Sequence, residues 1–276
     1  MAQGPGSKSV KRLCVGMLAH VDSGKTTLTE ALLYRSGALR KLGRVDHGDA
    51  FLDTDALERE RGITIFAKQA LIQREDLSIT LLDTPGHVDF AAETERTVQV
   101  LDYAILLVSG ADGVQGHTET LWRMLERHGV PTFLFINKMD QPDTDRDALL
   151  SQLRARLSDS CADFSVSREE LLEQAALCDE GLMEQYLETG DLSDADISAL
   201  IVERKLFPCF FGSALKLNGV DGLLDGLERY TLEPDWGAEL AARVFKISRD
   251  ERGERLTWLK VTGGVLRVRD TVNGPD

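Results

Sequence analysis

Ala19-His20-Val21-Asp22-Ser23-Gly24-Lys25-Thr26 follows an apolar run, Leu13 to Leu18, and opens a helix-patterned segment, Thr27 to Tyr34. It differs in one position from the pattern G-x-x-x-x-G-K-[ST], a loop whose backbone N–H groups cradle phosphates between a strand and a helix. The helix N-terminus adds a favourable field for anions. Ser23, Gly24, Lys25, Thr26 and Thr27 are therefore candidate nucleotide-binding residues, with Lys25 reaching the terminal phosphates and the Thr26 hydroxyl holding Mg²⁺. Ala19 stands where the pattern has its first glycine, which a tight turn tolerates if φ stays negative.

Outward from this loop, short β-rich runs alternate with amphipathic segments, which predicts an α/β domain with a mostly parallel sheet flanked by helices. Strands are expected near Arg12–Leu18, Ala67–Gln73, Ser78–Asp83, Tyr103–Ser109, Thr132–Asn137 and Pro208–Gly212. Helices are expected near Lys25–Ser36, Asp89–Leu101, Gly116–His128, Asp143–Leu157 and Val220–Tyr230. Gly37 to Gly62 lacks periodicity and is long for a structureless loop, so it reads as functional or mobile. An acidic insertion of about 158–205 carries helical patterns at Ser167–Leu177, Asp179–Glu188 and Ser193–Arg204. Beyond Leu232–Gly237 the pattern alternates, giving two strands joined at Asp250–Gly253 and a third at Val265–Val268. Forty residues cannot cover the edges of such a sheet. The domains expected are thus 8–236, the α/β domain, and 237–276, the start of a second, β-rich domain in a chain read as a fragment. Residues 1–7 read as an expression remnant.

The 276 residues carry 32 Lys and Arg against 46 Asp and Glu, a net charge of −14, which argues against a generic nucleic-acid binder. Sixteen acidic and six basic residues lie between Gln141 and Lys205, a pattern that reads as a solvated helical face. Four scattered cysteines, Cys14, Cys161, Cys178 and Cys209, have no metal or C-x-x-C spacing and indicate a reducing cytosol. No apolar run is long enough for a bilayer, so no membrane is expected.

Three further motifs fall at predicted strand ends. In Asp83-Thr84-Pro85-Gly86-His87 the carboxylate can hold Mg²⁺ through water, and the Gly86 N–H can touch a γ-phosphate. In Asn137-Lys138-Met139-Asp140 the Asp140 carboxylate can accept both N1–H and N2–H of guanine, a pair adenine lacks. The Asn137 side chain can bond the base and the loop, while the Lys138 stem covers the base plane. Gly212-Ser213-Ala214-Leu215-Lys216 closes the last strand, with the Ala214 N–H facing guanine O6. Ser213, Ala214 and Leu215 complete the expected base site. Thr64, at the end of the irregular span, is the candidate second hydroxyl on Mg²⁺, which makes that span a switch.

With these elements in this order, the chain resembles a translational GTPase of the elongation factor G superfamily. A-H-V-D-S-G-K-T-T, R-G-I-T-I, D-T-P-G-H-V-D-F, N-K-M-D and S-A-L-K carry the likeness, which is nearest to the tetracycline ribosomal protection proteins. It spans Lys11 to about Val272, including V-F-K-I and G-G-V-L-R-V-R-D in the tail. The resemblance implies a P-loop GTPase domain followed by a truncated β-barrel, binding GTP or GDP with Mg²⁺ and acting as a cytoplasmic monomer on the bacterial ribosome. It implies that His87 orients the attacking water, with Lys25 as its catalytic partner. Val21 and Ile63 would gate that water, and Asp22 would support the loop through a monovalent cation. The short insertion after Asp140 separates the chain from elongation factor G itself. A translocase of that type, and a nucleotide-gated binding module with incidental hydrolysis, are the alternatives. An ATP-using phosphotransferase is disfavoured by Asp140.

Overall fold

The structure, a computed structural model, describes residues 10–39, 68–85, 91–250 and 252–271. It divides into two compact units, Met1–Glu233 and Pro234–Asp276. The first is built on seven strands: β1 (Lys11–Ala19), β2 (Lys68–Gln73), β3 (Leu77–Asp83), β4 (Tyr103–Ser109), β5 (Thr132–Asn137), β6 (Cys161–Asp163) and β7 (Phe207–Phe211). Their order is β2-β3-β1-β4-β5-β7-β6. All neighbours are parallel except β2, which runs antiparallel to β3 at one edge. β1, β4 and β5 are buried nearly throughout and read as continuous apolar runs, as strands covered on both faces must.

Alternate side chains feed two separate cores. Val15, Met17, Ile105, Leu107, Phe133 and Phe135 face α1 (Lys25–Arg35) on one side of the sheet. Leu18, Leu106, Val108, Leu134 and Ile136 face the other, under α2 (Ala91–Val98), α3 (Gly116–Arg127) and α4 (Arg146–Arg156). The expected insertion forms α5 (Arg168–Ala176), α6 (Glu180–Thr189) and α7 (Asp194–Val202), ahead of α8 (Val220–Tyr230). Its charges sit partly as anticipated. Ser167, Asp179 and Ser193 cap the three helices, and no residue of α6 is buried. The stretch is nevertheless more than a solvated face: Leu171, Leu172, Ala175, Ile197, Leu200 and Ile201 join the core with α1 and α8. The three-residue edge strand β6 was not anticipated, because so short a run leaves no period to read.

The second unit is a hairpin of β8 (Ala241–Arg249) and β9 (Arg255–Gly263), paired antiparallel with two register shifts. The third strand expected at Val265–Val268 is not formed. Arg267 N–H donates to Asp270 Oδ2 and Asp270 N–H returns to the Arg267 carbonyl. Arg269 has φ 74°, so the backbone bonds close locally into a turn. Val265 and Val268 are exposed. The irregular span expected at Gly37–Gly62 lies outside the described residues from residue 40 on, as does the start of the helix expected from Asp89.

Phe133 lies between Tyr103 (ring centroids 6.1 Å apart) and Phe210 (6.4 Å, stacked), in a series that continues through Phe164 to Tyr230. It is fully buried. Phe133→Ala therefore destabilises the first unit by ~3–5 kcal/mol, read from urea unfolding. A loss below ~1 kcal/mol would contradict this packing.

Candidate functional site

Sheet order reverses at β1, which pairs with β3 on one side and β4 on the other. Such a switch point leaves a crevice at the carboxyl ends of the strands, where ligands bind in open α/β sheets. The register aligns those ends. Met17 pairs with Asp83, Ala19 with Leu107, Ser109 with Asn137 and Ile136 with Phe211. Every motif at a described strand end therefore opens on one edge of the sheet.

Ala19 is the last residue of β1 and is buried. It does not take a positive φ, so alanine serves where the motif has glycine. The turn is made further on, at Asp22 (φ 62°) and Gly24 (φ 92°). Short Asp tolerates the left-handed region; Gly24 has a second reason to be glycine. A Cβ there would lie 2.4 Å from Asn137 Nδ2. Gly24 also precedes α1 with no side chain to cap it, and the N-terminus of a helix favours an anion. Lys25 and Asp83 are both buried, and Lys25 Nζ donates to Asp83 Oδ1 at 2.5 Å. Thr26 is half-buried beside them. These donors fit a phosphate chain, and Asp83 with the Thr26 hydroxyl offers the hard oxygen set that Mg²⁺ prefers.

The second half of the site is tied to the first by one side chain. Asn137 Nδ2 donates to the Ser23 carbonyl at 2.9 Å, and its Oδ1 accepts from Ala214 N–H at 2.8 Å. Lys138 turns the chain at φ 62°, a strained conformation for a long side chain, and Met139 N–H bonds the Gly212 carbonyl at 3.0 Å. Asp140 is thereby carried to the surface opposite the 213–216 turn. The Ser213 hydroxyl holds its carboxyl below the ordinary value against the opposing effect of desolvation, and the Lys216 ammonium at 3.3 Å adds a smaller pull in the same direction as Ser213. Leu215 is exposed at the same edge, half its surface open.

The structure thus brings together Ser23, Gly24, Lys25, Asp83, Asn137, Lys138, Asp140, Ser213 and Ala214. Thr26 and Thr27 follow at the start of α1, and Val21 and Asp22 lie in the loop itself. Ile63, Thr64, Gly86 and His87 lie outside the described residues. Two contributors were quoted as motif letters without a role. Thr84 Oγ1 donates to the Met17 carbonyl at 2.7 Å and pins the D-T-P-G turn to β1. Lys216 neutralises Asp140, a contact that a basic residue three positions after Ser213 could have suggested. His20, on the other face of the sheet from Asn137, meets His117 of α3 edge-on at 5.8 Å. Among the described residues no His, Cys, Asp and Glu cluster could hold a metal alone. Among them, too, no helix is long and apolar enough to cross a membrane.

The family model described as Elongation factor Tu GTP binding domain matches residues 11–233. An oxytetracycline resistance protein of Streptomyces rimosus is 38% identical over 291 residues, covering 95% of this chain and 44% of that protein. The tetracycline resistance protein TetM of Streptococcus pneumoniae is 38% identical over 284 residues, with the same coverage. TetO of Campylobacter jejuni is 37% identical over 281 residues, again covering 95% and 44%. The chain therefore spans less than half the length of these relatives. A crystal structure from Thermus thermophilus superposes with a TM-score of 0.84 at 27% identity, covering 96% of this chain and 47% of that one.

Removing the Ser213 hydroxyl takes away the main cause of the low Asp140 pKa. Ser213→Ala moves the Asp140 titration, followed by carbonyl NMR, up towards the ordinary carboxyl value. Because the shift is a depression, the charge that the wild type keeps on acidification is lost at higher pH in the variant. An unmoved titration would contradict the contact.

Proposed function

Since the chain belongs to the elongation factor Tu GTP binding domain family, we propose that it binds GTP and Mg²⁺ at the β1, β3, β5 and β7 edge and hydrolyses GTP in the service of a ribosomal protection cycle. The observation that carries this reading is the Asn137 side chain, which joins the phosphate loop at Ser23 to the base loop at Ala214. A phosphate grip and a base grip at that spacing suit one nucleotide. Asp140 accepts two hydrogen bonds from guanine, and the Ala214 N–H, Leu215 and Lys138 frame the ring. Adenine would leave the carboxylate without donors, a large penalty for a charged acceptor.

The reaction is in-line attack of water on the γ-phosphorus; the bond to the bridging oxygen breaks and GDP and phosphate leave. Lys25 leaves Asp83 for the β- and γ-phosphate oxygens, exchanging one charge partner for another. Thr26, Thr64 and Asp83 would hold Mg²⁺, which supplies neutralisation of the developing phosphate charge. His87 orients the water, and Val21 with Ile63 keeps that water back until the ribosome repositions the histidine. Asp22 would hold a monovalent cation, which would supply support for the loop. Ordering of the switch around Thr64 by the γ-phosphate, and its release after hydrolysis, couples the reaction to binding.

The tetracycline resistance names of the relatives at 37–38% identity support tetracycline as the setting; in this reading the ribosome is the partner and the cytoplasm the place. The chain acts as a monomer in this reading.

Asp140→Asn exchanges the acceptor pair and moves preference from GDP to XDP. Titration of both nucleotides against both proteins tests this, and retained guanine preference would overturn the base assignment. Hydrolysis by the chain alone is slow, since its water is gated. Rapid turnover without ribosomes, in a phosphate-release assay, would contradict the gate.

A further inference from the structure

Ser109 ends β4, is 3% exposed, and its Oγ has no hydrogen-bond partner among the described residues. A buried hydroxyl left without a partner is costly, and such groups call for an explanation. Its position supplies one. Ser109 pairs in register with Asn137, two residues beyond the pair Leu107 and Phe135. Leu107 and Phe135 share the core of Leu28 and Leu32, so Ser109 and Asn137 point to the face that α1 covers. The connection from β1 to α1 over that face is the phosphate loop. Ser109 therefore lies beneath the loop, beside the one side chain that already fastens it.

The loop's carbonyls are mostly committed. That of His20 accepts from Ser23 N–H, that of Ser23 from Asn137, and that of Gly24 from Leu28 N–H. Those of Val21 and Asp22 carry no hydrogen bond among the described residues. When backbone N–H groups of such a loop turn towards phosphates, its carbonyls turn the other way. We propose that Ser109 is a positioning residue for the phosphate loop, donating through Oγ to the Val21 or Asp22 carbonyl when nucleotide is bound. The inference rests on the nucleotide reading above and adds a fastener that engages in one state only. A bond that Ser109 makes to the loop in the nucleotide complex contributes to affinity rather than to folding.

Ser109→Ala removes the hydroxyl with little change of volume, and Ser109→Cys puts a somewhat larger thiol, only a weak donor, in its place. Fluorescent GDP is titrated against the 276-residue chain, with melting temperatures taken without nucleotide. Both variants are expected to raise the dissociation constant roughly three- to ten-fold, with a melting temperature no lower than that of the wild type for Ser109→Ala. Wild-type affinity in both variants overturns the inference. So does weaker binding accompanied by an equal loss of stability in the empty protein, which would make Ser109 an ordinary structural residue. A wild-type chain that binds no GDP overturns the nucleotide reading and this inference with it.

Discussion

The carboxamide of Asn137 is the contact on which the site depends. It is buried at the end of a central strand, where an unmet donor or acceptor would be expensive, and both of its ends are met by backbone: Ser23 on one side and Ala214 on the other. Two loops about 190 residues apart in sequence are thereby held in one geometry by a single rigid amide. The same group sets the requirement for glycine at position 24, since any Cβ there would strike Nδ2. Sequence, backbone conformation and site geometry are linked at this point.

The strand order makes that contact possible. With β1 in the middle and its neighbours leaving in opposite directions, helix α1 must cross one face and α3 and α4 the other. The crevice between them collects a lysine, an aspartate and uncapped helix N–H groups. Charge is balanced locally in this arrangement. Lys25 answers Asp83 and Lys216 answers Asp140, each acid paired with the cation nearest to it. A chain of net charge −14 can thus present an anion-binding edge. The acidic insertion lies in other elements, where its carboxylates cap helices and face solvent.

Much of this was legible beforehand because the motifs are local. The loop at 19–26, the N-K-M-D run and the 212–216 turn each place their residues by backbone conformation, and the apolar runs of β4 and β5 have the length and composition of buried strands. What was not legible depended on contacts between distant residues. β6 exists because Cys161–Asp163 finds the edge of β7, not because three residues have a pattern. Val265–Val268 has strand composition but no neighbour to pair with among the described residues, and Asp270 closes a turn instead. Ser109 reads as the polar end of an apolar strand until its register with Asn137 places it under the loop.

The central claim is that Asn137 couples the phosphate loop to the base loop. Amide hydrogen exchange in the wild type and in Asn137→Ala tests it most directly. Faster exchange in the variant at both 20–24 and 213–216, with the β1 and β5 amides unchanged, is the predicted result. Acceleration at one loop only, or at neither, would contradict the coupling.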